Sequence, residues 1–225
     1  MNVSELLEAA RASGHKSLSE EDSRQVLAGY GVPLVESRLV RSAEAAREAA
    51  RELGYPVVLK GTGALLAHKT EADVVRLGLR DEAELLAAYQ DVHQKGGDRL
   101  EGMLVQRQVR SVREFVAGLS RDPQFGPCVM FGLGGIFTEV LSDVTFRVAP
   151  LERLDALEML DEVKGAKLLG PFRGQPAVDR ERLALLLVAL GRLGEELPQV
   201  AEVDLNPILV DGDRPVAVDA LVVLA

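Results

Sequence analysis

The sequence is short of sulfur: Cys128 is its one cysteine. A lone thiol builds neither a disulfide framework nor a cysteine-ligated zinc site. Within the apolar run PCVMF it is expected to be a small buried hydrophobe. Long hydrophobic runs are missing too, since none approaches the roughly 18 residues of a membrane-spanning helix. The opening stretch MNVSELLEAARASG is amphipathic and does not read as a signal peptide, so a reducing cytoplasm is the expected setting. Positive charge is in deficit, with 26 Lys and Arg against 35 Asp and Glu, a net charge of -9. That excludes a general nucleic-acid binder or a membrane-surface protein, both of which need a basic face, but leaves room for a local basic pocket. There is no repeat, no low-complexity linker and no G-x-G-x-x-G opening a helix. Hydrophobic residues make up 47% of the 225 positions, enough for the core of one large domain or two compact lobes.

Local signals predict the order of elements. Residues 4–12 read as a short helix. Ser19 precedes an acidic first turn and caps a helix that Gly29 or Gly31 ends. LVESRLV (34–40) alternates like a strand, Ser42 caps the alanine-rich AEAAREAAREL, and YPVVLK (55–60) reads as a buried strand. VVRLGL (74–79) is another strand, followed by a helix that Asp81 caps. After a polar break at 97–101 come closely spaced strands at 103–109, 113–120, 126–134, 136–141 and 144–150. Two helical segments follow, LERLDALEMLDEV and RERLALLLVALGRLGEEL, and a hairpin closes the chain. The result is an α+β protein: an extension over 1–18, a first lobe over 19–103, and a second, largely antiparallel lobe over 104–225.

One glycine-rich stretch resembles a phosphate-binding loop with one residue changed. From Gly63 the sequence reads G-x-x-x-x-H-K-T, with His68 where a P-loop has its last glycine. A P-loop needs a helix after its lysine, because the helix N-terminus helps to hold the phosphates. Here EADVVRLGL follows, an alternating, β-branched strand. The segment is therefore a flap between two strands, able to cover phosphates with backbone N–H groups, and Lys60 at the end of its strand reaches the same phosphates. His68 is either an exposed loop histidine without a role or a nucleophile whose neutral imidazole attacks phosphorus. His15 and His93 are assigned none.

The closing hairpin places Glu202, Asp204, Asn206 and Asp219 around the turn DGD. A two-residue loop Asp211-Gly212 sets Asp204 opposite Asp219, whereas Gly212-Asp213 sets Asn206 there. Under either register the three lie on one face, with opposed Cβ atoms about 4.5–5.5 Å apart. They form either a solvated polar face or oxygen ligands for a hard cation such as magnesium.

Together, GYPVVLK, the flap LLAHKTEADVV, MLVQRQV, the long block REFVAGLSRDPQFGPCVMFGLGGIFTEVLSDVTFRVAPL, and EVDLNPILV with VAVDALVVL resemble an ATP-grasp protein. More narrowly, they resemble the beta subunit of ADP-forming acetyl-CoA (acyl-CoA) synthetases, relatives of succinyl-CoA synthetase. The resemblance covers nearly the whole chain. It implies two α+β lobes gripping a nucleotide and the reaction acyl-CoA + ADP + phosphate ⇌ acid + ATP + CoA. It also implies a role for each matching residue. Lys60 contacts ATP phosphates, with Gly61 and Gly63 beside it as the hinge of the flap. Leu104, Val105, Gln106 and Arg107 read adenine through the backbone, and Glu114 sits beside the nucleotide. Asn206 and Asp219 hold Mg2+, which favours the Gly212-Asp213 register. Asp204 lies near the phosphohistidine path, and His68 is a second phosphoryl carrier. Thr70 stands where serine is usual, and QRQV lacks a proline often seen there. Arg147 fits an ion pair as well as a phosphate contact. The missing CoA-binding motif and primary phosphohistidine imply a CoA-binding alpha subunit, as in an α2β2 assembly. Two other readings share the fold: a nucleotide-sensing module of a larger acyltransferase, and a carboxylate–amine ligase without a phosphohistidine.

Overall fold

Two sheets, each backed by helices, carry the architecture of the computed structural model, which describes residues 3–66, 72–135 and 143–225. The helices among these residues are α1 (Val3–Ala12), α2 (Glu20–Gly29), α3 (Ala43–Leu53), α4 (Glu82–Gly96), α5 (Arg153–Glu162) and α6 (Arg180–Glu196). The strands are β1 (Ser37–Val40), β2 (Val57–Thr62), β3 (Val75–Leu79), β4 (Gly102–Arg107), β5 (Glu114–Asp122), β6 (Gly126–Leu133), β7 (Val144–Val148), β8 (Val200–Asp211), β9 (Arg214–Ala217) and β10 (Leu221–Leu224). The strand expected at 136–141 lies outside the described residues.

Helix starts follow their side-chain chemistry. Ser19, Ser42, Asp81 and Asp179 each accept a hydrogen bond from the backbone N–H three residues on, satisfying a donor that the helix leaves orphaned. Gly54, at φ 79°, stops α3 in a conformation that a side chain resists.

The first sheet has the order β1-β4-β2-β3, every pair antiparallel. Its core joins Ala46, Ala49 and Ala50 of α3 and Leu85 and Val92 of α4 to Val57, Leu59, Met103 and Val105. The second sheet runs β10-β8-β5-β6-β7 with β9 also on β8. Its larger core packs α6 through Leu183, Leu186, Leu187, Leu190 and Leu193 against Phe115, Leu119, Val129 and Phe131. Each fully buried leucine contributes roughly 1.5–3 kcal/mol of hydrophobic stabilisation.

The packing divides the chain elsewhere than at residue 103/104. β4 lies at the centre of the first sheet, because Val57 to Thr62 of β2 need a partner on their other side. Conversely, Leu6, Leu7, Leu18, Val26 and Leu27 of the N-terminal segment belong to the second core. Residues 33–35 also side with the second sheet: Ala217 N–H donates to Pro33 O and Val35 N–H to Ala217 O. One residue later, Glu36 O accepts from Arg107 N–H of the first sheet. The strand expected over 34–40 is thus cut short to Ser37–Val40 by a change of sheet.

The closing hairpin turns through Gly212-Asp213, with Asp211 paired to Arg214 and Ile208 to Ala217. Beyond an interruption at 218–220 the same register resumes, Leu221 opposite Asp204 and Val222 opposite Val203. Asp219 therefore falls opposite Asn206, as the second of the two registers requires.

Arg113 is the largest fully buried side chain and anchors this half. Its guanidinium donates to Gly170 O at 3.3 Å, Pro176 O at 2.8 Å and Gly212 O at 3.3 Å. Arg113→Ala is expected to strand these carbonyls and lower stability by about 3 kcal/mol, read as a fall in the urea midpoint at unchanged slope.

Candidate functional site

A cleft of about 440 Å³ opens between the two sheets. Lys60 and Gln106 line it from the first sheet, and Glu114, Pro207 and Asp219 from the second. Lys60 is the fourth of the six residues of β2, a strand buried throughout, so its side chain has left water almost completely. A buried ammonium needs acceptors, and all of its acceptors come from the opposite half. Nζ donates to Glu20 Oε1 of α2 at 3.1 Å and to Val218 O at 2.6 Å, with Asp219 Oδ1 at 3.8 Å. Arg24, one turn after Glu20, donates to Val35 O. Burial pushes its guanidinium below the usual value, opposed by Glu20, Glu21 and Asp219.

The second wall is set by β8. Val203, Leu205, Ile208 and Val210 face the core. Between Leu205 and Ile208 the pairing with β5 shifts register, so the alternation restarts and Leu209 also turns to the cleft. Asp204 and Asn206 share the face away from the core, Asp204 half-buried opposite Gly118 and Asn206 exposed. Asp219 Oδ1 accepts from Ala220 N–H at 2.9 Å. Asn206 and Asp219 supply oxygen donors of the kind a magnesium ion takes alongside phosphate and water. Among the described residues no group of three His, Cys, Asp or Glu forms a fuller cage.

Glycines shape the floor around Glu114. A Cβ at Gly134 would lie 2.9 Å from the Glu114 backbone carbon, and one at Gly135 2.9 Å from Glu114 Oε2. The end of β6 thus comes within contact of Glu114, which a larger residue would prevent.

At three of the expected positions the packing is more constrained, or more open, than the sequence suggests. The backbone of Leu104 to Gln106, expected to read adenine, is paired on both sides, with β1 and with β2. What β4 offers the cleft is the Gln106 side chain, and Gln108 to Ser111 line it just beyond the strand. The Oε1 atoms of Gln106 and Gln108 are buried without a hydrogen-bond partner among the described residues. Val105 lies in the core, and the Arg107 side chain donates to Asp211 Oδ2 at 2.7 Å, joining the two halves. Second, Gly61 and Gly63, expected as the hinge of the flap, lie against packed neighbours. A Cβ on Gly61 would come 2.7 Å from Leu100 Cδ2, and one on Gly63 would come 2.2 Å from Arg99 O, so both serve close packing. Third, Cys128 is half-buried, lining a surface groove with Phe125 and Phe146. His68 and Thr70 lie outside the described residues, with residues 67–71 of their flap, and its flanking strands β2 and β3 pair with each other, Lys60 with Val75. Arg147 forms an ion pair with Glu162 of α5. Sequence reasoning missed Glu20, although Ser23, Val26 and Leu27 already mark the buried stripe of α2 on which positions 20 and 24 fall.

Two sheets closing on a lysine, a glutamate and an Asn/Asp pair define a nucleotide-gripping fold, and the comparisons agree. The model of the ATP-grasp domain matches residues 9–224. The beta subunit of acetate–CoA ligase (ADP-forming) I from Pyrococcus furiosus is 40% identical over 225 residues, 98% of this chain and 97% of that one. Among solved structures, acetyl-coenzyme A synthetase 1 of Ca. Korarchaeum cryptofilum with coenzyme A and Ca-AMPCP is 41% identical, with TM-score 0.93 and both chains covered completely. The same protein with coenzyme A and Mg-AMPPCP, its phosphohistidine segment pointing towards the nucleotide-binding site, is 39% identical, with TM-score 0.86 and complete coverage. The chain belongs to the ATP-grasp family, within the beta subunits of ADP-forming acetate–CoA ligases.

Gly63→Ala is expected to cost about 1–3 kcal/mol, because the Arg99 carbonyl must move. Thermal unfolding checks this: a hinge role would leave the midpoint unchanged.

Proposed function

We propose that this chain is the nucleotide-binding subunit of an ADP-forming acyl-CoA synthetase, catalysing acyl-CoA + ADP + phosphate ⇌ acid + ATP + CoA with a CoA-binding partner. The observation that carries the reading is the convergence of Lys60, Glu114 and Asp219 on one cleft in a chain with full-length relatives of that activity. Lys60 meets the phosphates and Glu114 lies beside the nucleotide. Gly61 and Gly63 let the strand end beside Lys60 pack closely, and the base lies against Gln106, Gln108 and the stretch after β4. Asn206 and Asp219 would hold Mg2+, which when bound neutralises phosphate charge during in-line transfer. Asp204 is the acidic group on the path of the phosphorylated histidine.

His68 carries the phosphoryl group. The partner forms the acyl phosphate, releases CoA and takes up the first phosphoryl, which passes to the His68 imidazole. The phosphorus–nitrogen bond then breaks, its electron pair returning to the ring, as a β-phosphate oxygen of ADP bonds to phosphorus. An α2β2 assembly in the cytoplasm fits this division of labour. No helix of the described residues is long and apolar enough to cross a membrane.

Labelled phosphate, acetyl-CoA, magnesium and the partner subunit, with ADP omitted, test the relay. Acid-labile, base-stable label is expected on His68 and should discharge to ATP when ADP is added. His68→Ala should abolish ATP formation while ADP still binds; full turnover in that variant would remove the relay. Asp219→Asn is expected to raise the magnesium concentration for half-maximal ADP binding by about tenfold, measured by calorimetry.

A further inference from the structure

We infer that Glu20 is a positioning residue of the nucleotide site, holding the Lys60 ammonium where a phosphate chain meets it. The inference rests on the phosphate role proposed for Lys60.

A glutamate in the first turn of a helix is already favourable in solvent, beside the positive end of the helix dipole. Glu21 and Asp22 are placed in that way, part-exposed. Glu20 is not: its side chain is 1% exposed and that of Lys60 is 7% exposed. Capping does not account for this burial, because Ser19 supplies the cap. Desolvating two charges costs more than their attraction readily returns, so the burial of such a pair is weak evidence for a role in stability.

The geometry is specific. An ammonium has three donors. Two are engaged, by Glu20 Oε1 and Val218 O, while Asp219 Oδ1 at 3.8 Å lies beyond hydrogen-bond reach. Among the described residues one donor therefore remains for a ligand oxygen in the cleft that Lys60 lines. α2 is itself fixed against the second sheet. Leu18 N–H donates to Val222 O at 2.9 Å, and Val222 N–H donates to Ser23 Oγ at 3.1 Å. Glu20 thus refers the position of Lys60, a first-sheet residue, to the half that carries Asn206 and Asp219.

The test is calorimetric titration of the full chain with ADP and magnesium chloride, and separately with adenosine. Glu20→Ala is expected to weaken ADP binding about tenfold and to leave adenosine binding unchanged, because only phosphates meet Lys60. In a Lys60→Gln background, Glu20→Ala should add less than about twofold, since the two act as one unit. Where Glu20→Ala does not fold, Glu20→Asp, which keeps the charge but withdraws the oxygen, should lose ADP affinity several-fold, again only while Lys60 is present. Equal losses for ADP and adenosine, an additive double variant, or unchanged ADP affinity would each overturn the positioning role. If Lys60→Gln itself leaves ADP affinity unchanged, the phosphate role of Lys60 fails and the inference fails with it. A wild-type chain that binds neither probe would remove the nucleotide reading altogether.

Discussion

A buried ammonium must find acceptors, and Lys60 finds them across the cleft rather than on its own sheet. Much of the site arrangement follows from that requirement. α2 has to reach over, which it does because the segment before it pairs with β10 and because Ser19 starts the helix where Glu20 can turn inward. The β9–β10 connection has to present a free carbonyl, which the break at 218–220 supplies. Asp219 lies within the same break. Cation, carbonyl and carboxylate therefore meet because one interrupted strand lies beside one buried lysine.

β8 is the second organising element. Its twelve residues pair with β5, β9 and β10, so it serves as the common reference for the cleft wall. The shift between Leu205 and Ile208 keeps apolar residues in the core on both sides of Pro207 while turning Asp204, Asn206 and Leu209 the other way. A strict two-residue period over the whole strand could not satisfy both demands.

Much of the fold was legible in the sequence wherever local chemistry decides it. Ser42, Asp81 and Gly54 mark helix ends through orphaned donors and a left-handed stop, and the oxygen-bearing hairpin residues share a face because strands alternate. The candidate site was suggested by types and spacing: a lysine in the strand before a glycine-rich flap, and Asn206 and Asp219 around a short turn. What remained hidden was decided by non-local partners. Alternation identifies β4 as a strand without saying that it has neighbours on both edges, which is what commits the backbone of Leu104 to Gln106. Gly61 and Gly63 suggest freedom in one dimension, but Leu100 and Arg99 occupy the adjacent space in three. Glu20 differs from Glu21 only in which side of α2 it occupies.

The two crossings between the halves lie side by side. The chain leaves the second sheet after Val35 and returns after Arg107, and Glu36 and Arg107 are hydrogen-bonded to each other. The first lobe is therefore an insertion whose two ends meet at one place. The place where they meet is beside the Arg107–Asp211 ion pair, which ties the two halves together there. The strap is short and double-stranded, so the residues beside it are the ones whose place against the second sheet the chain itself fixes most directly. Gln106 and Gln108 flank Arg107 at that strap. A base held there, as proposed above, would be referred to both sheets at once by the chain itself, whereas Lys60, farther along β2, is referred to the second half only through its contacts with Glu20 and Val218.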